Sequence, residues 1–132
     1  MDRTAELVKE WMHKAEHDLG MAQLALENRP EYADAICFHC QQATEKYLKS
    51  YLVFLGIRFE RKHDLDYLLD LIADKAPVGD AWYELAERLD GYAVEVRYPD
   101  DWQEIPPEEV KAAYQTALTI KSMILDRILK AD

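Results

Sequence analysis

The stretch Phe38-His39-Cys40-Gln41-Gln42-Ala43-Thr44-Glu45-Lys46-Tyr47-Leu48-Lys49 gathers imidazole, thiol, carboxamide, carboxylate and ammonium groups on one predicted helix. Gln42, Lys46 and Lys49 are spaced by four and three, so they share a helix face. With Arg58, Arg61 and Lys62 from the segment that follows, they could form a local phosphate-binding patch suited to a nucleotide or a short RNA end. The simpler alternative is a solvated face, on which Glu45 and Lys49 make an ordinary i,i+4 ion pair.

Other groups have weaker claims. Cys37 and Cys40 lie one helical turn apart, but a redox pair needs the positive end of a helix to stabilise thiolate, and these sit inside one. Both fall on an apolar stripe, so core packing is expected. His13-Lys14-Ala15-Glu16-His17 has the His-x-x-Glu-His spacing of inverted zinc peptidases. A catalytic zinc needs a third protein ligand, and the pair lies beside the buried stripe, so a solvated pair is expected. No metal and no cofactor is predicted. Arg97 is flanked by Tyr92, Tyr98 and Trp102, a mixture typical of interface hot spots, in a stretch that otherwise resembles a loop. An interface is expected there.

The elements that must position these groups are helices. Val8, Trp11, Met12, Ala15, Leu19, Ala22 and Leu26 step by three and four, which predicts a first helix from about Thr4 to Glu27. Pro30 ends it. A second helix is predicted from about Tyr32 to Leu55, with Gly56 as its left-handed stop and a basic connector from Ile57 to His63. Asp64 is a plausible N-cap for a short third helix carrying Leu65, Leu68, Leu69 and Ile72. Asp80 can cap a fourth. A loop is expected between Gly91 and Pro107. Pro107, followed by Glu108 and Glu109, opens the last helix. The prediction is an all-α, single-domain, up-and-down bundle of four to five helices.

Composition narrows the function. The chain has 132 residues, enough for one domain, with 49% hydrophobic and 32% charged residues. No apolar run reaches the ~18 residues of a membrane span, and the N-terminus lacks an apolar signal core, so a cytoplasmic location is expected. The formal net charge of −10 repels phosphate backbones and argues against non-specific duplex DNA binding.

Four short motifs together resemble HEPN domains, small helical modules of prokaryotic toxin–antitoxin and nucleotidyltransferase-linked systems. Trp11, Ala15, Asp18, Leu19 and Ala22 match the first helix of that family. Cys40, Gln41, Gln42, Ala43, Glu45, Lys46, Leu48 and Lys49 match its second. His63, Asp64 and Leu65 match the opening of the third, and Arg97, Tyr98, Pro99 and Asp100 a later run. The resemblance implies a homodimer, and a minimal nucleotidyltransferase as partner in a two-component system.

The resemblance also implies metal-independent RNA cleavage where an arginine is followed, four to six residues on, by a histidine. Arg97 would hold the phosphate and the histidine would move the proton. Here Arg97 is followed by Tyr98, Pro99, Asp100, Asp101, Trp102 and Gln103, and no histidine occurs after His63. Arg58 and His63 have the spacing but precede the third helix. The expectation is therefore a nucleotide- or RNA-associated binding subunit that is not an enzyme alone. Lys46, Lys49, Arg58, Arg61, Lys62, His63 and Arg97 are the candidate anion ligands. The runner-up is a ribonuclease toxin using Arg97 with His63. A third possibility is a structural dimer without ligand.

Overall fold

The computed structural model describes residues 2–93 and 104–130. Among them five helices follow one another: α1 (Thr4–Asn28), α2 (Ala33–Leu55), α3 (Leu65–Ala73), α4 (Asp80–Asp90) and α5 (Pro107–Leu129). The fold is all-α, as the periodicity predicts.

Pairings between helices fix their directions. Asp18, Glu16 and Trp11 of α1 lie level with His39, Tyr47 and Lys49 of α2, so these two run antiparallel and form the most extensive pairing. Lys121 of α5 meets Glu16, and Arg127 meets Tyr51, so α5 is antiparallel to α1 and runs with α2. Asp90 at the end of α4 reaches Leu65 at the start of α3, which makes α3 and α4 an antiparallel pair.

The core is built from the expected stripes. Ala15, Leu19 and Ala22 of α1 and Ile36, Cys37, Cys40, Ala43, Tyr47, Leu48 and Leu52 of α2 are buried, together with Leu65, Leu68, Leu69, Ile72, Leu89, Ala117 and Ile124. Ala15 and Ala22 are small and let α2 approach α1 closely on either side of Leu19. Helix α2 is buried on more than one face, because α1, α3 and α5 all pack on it.

Two boundaries have clear causes. Gly56 adopts φ 76°, where a Cβ is disfavoured, and its N–H and that of Ile57 bond to the carbonyls of Val53 and Leu52. Pro107 opens α5, as predicted. Two caps differ from expectation. Asp64 sits at the N-cap of α3 without a side-chain cap bond. Asp90 of α4 supplies the acceptor instead, taking the Leu65 N–H at 3.3 Å. Asp80 is already inside α4, with Gly79 at the cap.

Between Gly56 and Leu65 the chain doubles back along α2. Phe59 returns to the level of Trp11 and Lys49, and His63 to the level of Gln41 and Glu45. Ten residues of helix rise only ~15 Å, a distance that eight residues in extended form cover easily.

Candidate anion-binding connector

The retraced segment carries the exposed cations Arg58, Arg61 and Lys62 against two carboxylates, Asp64 and Glu60, the latter 3.3 Å from the Lys62 ammonium. On a chain of net charge −10 this is a local reversal of sign. Aromatic rings hold its shape. Phe59 meets Trp11 edge-on at 6.1 Å, and the Lys49 ammonium lies 5.3 Å from the Trp11 ring and 5.8 Å from Phe59. The Tyr67 hydroxyl accepts the Glu60 N–H at 3.0 Å, and Lys62 sits 4.8 Å over the Tyr67 ring. An open groove of about 400 Å³ lies between Arg58, Phe59, Glu60 and Tyr67.

His63 closes the connector. Its carbonyl accepts a bond from Gln41 Nε2 at 3.3 Å. Its Nδ1 lies 3.1 and 3.2 Å from the two Glu45 oxygens. Glu45 also accepts from Lys49 Nζ at 2.9 Å. The Glu45 side chain is 3% exposed and that of Lys49 7%, whereas that of His63 is 68% exposed. A buried carboxylate thus joins a buried ammonium to a surface imidazole.

A second cluster repeats this chemistry between α1 and α2. Asp18 holds His39 Nδ1 at 2.8 Å and also takes the Lys46 ammonium. Burial pushes the Asp18 carboxyl upward, but the bonds from His39 and Lys46 outweigh it and leave its pKa lowered. Glu16 has a similar balance: desolvation is opposed by Lys121, 2.7 Å away, and by the Tyr47 hydroxyl, and the pKa is lowered.

These clusters revise the sequence reading of α2. Gln41, Glu45 and Lys49 are buried, so the solvated-face alternative is wrong for them. Lys46 and Lys49 also do not act together: one turns to Asp18 and the other to Glu45. The local spacing was read correctly, but α1 and the connector cover the face. The Glu45–Lys49 pair was expected from its spacing, but sequence reasoning missed Asp18 as the partner of Lys46 and of His39, and His63 as the second partner of Glu45. The usable signal was an aspartate beside Ala15, Leu19 and Ala22, since a charge next to a core stripe is expensive unless paired.

The remaining candidates fall elsewhere. Tyr92 is half-buried against the core, and its hydroxyl donates to Glu109, tying the end of α4 to the start of α5. Arg97, Tyr98 and Trp102 lie outside the described residues. His13 and His17 are exposed with rings 4.4 Å apart. Among the described residues, no group of three or more His, Cys, Asp or Glu side chains is arranged to hold a metal. Cys37 and Cys40 are fully buried, and desolvation, with Cys37 adjoining, pushes the Cys40 thiol up to about 12. No described helix is long and apolar enough to cross a membrane.

Known proteins share this arrangement of helices. A relative from Methanocaldococcus jannaschii, named "Putative toxin", is 26% identical over 89% of this chain and 86% of its own length. The crystal structure of an archaeal HEPN homologue superposes with a TM-score of 0.72 at 28% identity, covering 97% of this chain and 99% of that one. A protein of Thermus thermophilus gives a TM-score of 0.74 at 29% identity, covering 96% and 99%. The family model described as the HEPN domain matches residues 8–128, and this chain belongs to the HEPN domain family.

Proposed function

We propose that this chain is the nucleotide- or RNA-associated helical subunit of a toxin–antitoxin-like two-component system, with a minimal nucleotidyltransferase as its partner. On this reading it binds without cleaving RNA on its own. The observation that carries the proposal is the connector: Arg58, Arg61 and Lys62 are displayed to solvent on a segment that α2 holds from below through Gln41 and Glu45. Lys46 and Lys49 support it indirectly, by their ion pairs. Arg97 would add a further phosphate ligand. The toxin name of the Methanocaldococcus relative is consistent with a paired system. A homodimer fits the apolar groove of about 500 Å³ between the start of α1 and the end of α5, where Val8, Met12, Phe54, Leu125 and Ile128 lie beside Leu129.

The test is binding of a fluorescent single-stranded RNA by anisotropy, beside a cleavage assay in EDTA. Neutralising two connector cations in Arg58→Gln/Arg61→Gln is expected to weaken binding about tenfold and to flatten its salt dependence. Unchanged affinity would sink the connector as the site. Cleavage by the wild type that is lost in both Arg97→Ala and His63→Ala would establish the ribonuclease reading instead. One observation favours that second reading: the imidazole of His63 is oriented by a buried carboxylate, as a general base is.

A further inference from the structure

We infer that Glu45 is a positioning residue for the connector, fixing His63 as the Nδ1–H tautomer and turning its Nε2 outward as an acceptor. This rests on the reading of the connector as a ligand site.

A carboxylate can only accept hydrogen bonds, so the ring nitrogen facing it must carry the proton. Both Glu45 oxygens face Nδ1, at 3.1 and 3.2 Å. In the neutral ring the second nitrogen is then a bare lone pair, since the bond made by one nitrogen sets the state of the other. Glu45 is only 3% exposed while the His63 side chain is 68% exposed, so the ring's accessible surface lies away from the carboxylate. Glu45 is itself held. Lys49 grips Oε2 at 2.9 Å from below, and Trp11 and Phe59 cover that ammonium. Gln41 fixes the His63 carbonyl, and Asp90 fixes the Leu65 N–H. The imidazole therefore has little freedom to turn.

The consequence is a chemical preference. Arg58, Arg61 and Lys62 offer only donors and positive charge, which any phosphate satisfies. The Nε2 lone pair, one residue along the chain from Lys62, asks for a donor on the same ligand. A ribose 2′-hydroxyl is such a donor, and it is what distinguishes RNA from DNA at a protein site. The connector so built takes single-stranded RNA in preference to DNA of the same sequence.

The first experiment needs no ligand and no variant. Long-range 1H–15N correlation spectra of the wild type, taken with the ring neutral, report the tautomer directly. His63 is expected to show a protonated Nδ1, and an Nε2–H pattern in the wild type would overturn the inference. In Glu45→Leu, which leaves no acceptor, the Nδ1–H population is expected to fall, and an unchanged pattern would overturn it too. Should that variant not fold, Glu45→Leu/Lys49→Met removes both buried charges together and is read the same way. The second readout is the ratio of RNA to DNA affinity, expected to exceed one in the wild type and to drop at least threefold in Glu45→Leu and in His63→Ala. A ratio that does not move would refute the hydroxyl preference. Because the spectrum is taken on free protein, it stands apart from the Arg58→Gln/Arg61→Gln result, which tests whether the connector binds at all.

Discussion

The two carboxylate clusters are made of the same three groups and do different work. Asp18 gathers His39 and Lys46, and Glu45 gathers His63 and Lys49, each histidine facing its carboxylate through Nδ1. Asp18 sits on α1 and both its partners on α2, so the cluster bolts two helices together along one face. Glu45 has one partner on its own helix and one on the connector. Its lysine is more deeply buried than Lys46, and its histidine far more exposed than His39. What separates a clamp from a presenting device here is which element the imidazole belongs to.

Four substitutions would break or sharpen this contrast. The largest effect is expected from Glu45→Ala, which leaves the Lys49 ammonium buried without its carboxylate. Uncompensated buried charges cost about 3 kcal/mol, to be read from urea unfolding. A loss below about 1 kcal/mol would mean that Lys49 finds water or the aromatic rings sufficient. Next is Asp18→Asn, with an expected loss of about 1–2 kcal/mol at neutral pH. Asp18 has a lowered folded pKa, so its contribution is fully present above the unfolded value of about 3.9 and is lost as pH falls through the folded one. The stability gap between wild type and Asp18→Asn should therefore hold from pH 7 to 5 and close below about pH 4. A gap constant down to pH 2 would remove Asp18 as an acid-sensitive clamp. The smallest effects distinguish the histidines. His39→Ala should cost about 1 kcal/mol and His63→Ala less than about 0.5, by thermal unfolding at pH 7. Equal losses would erase the distinction between them.

Much of the scaffold was legible because its causes are local. The steps of three and four, the glycine at 56 and the proline at 107 each act within a turn of where they stand. The buried clusters were not, because their partners are remote in sequence: 21 and 28 residues separate Asp18 from His39 and Lys46, and 18 separate Glu45 from His63. Spacing along α2 paired Lys49 with Glu45 but could not say that Lys46 would turn away to Asp18. The cap on α3 went to Asp90 rather than Asp64 for the same reason, since a residue 25 positions away provides it.

The double anchoring of the connector has a consequence for how this scaffold can diversify. Lys75, just after α3, bonds the Leu55 carbonyl at 2.6 Å, and the Gly56 turn fixes where the chain leaves α2. At the other end, Gln41, Glu45 and Asp90 fix where it rejoins. Apart from the His63 imidazole, both hinges are thus secured by groups outside the loop or by backbone bonds that do not depend on its side chains. Doubling the length of a flexible loop costs only about 0.6 kcal/mol in closure entropy. The five helices can therefore act as a fixed frame on which connectors of other lengths and sequences are exchanged, so that new ligand preferences arise by grafting rather than by redesign of the core.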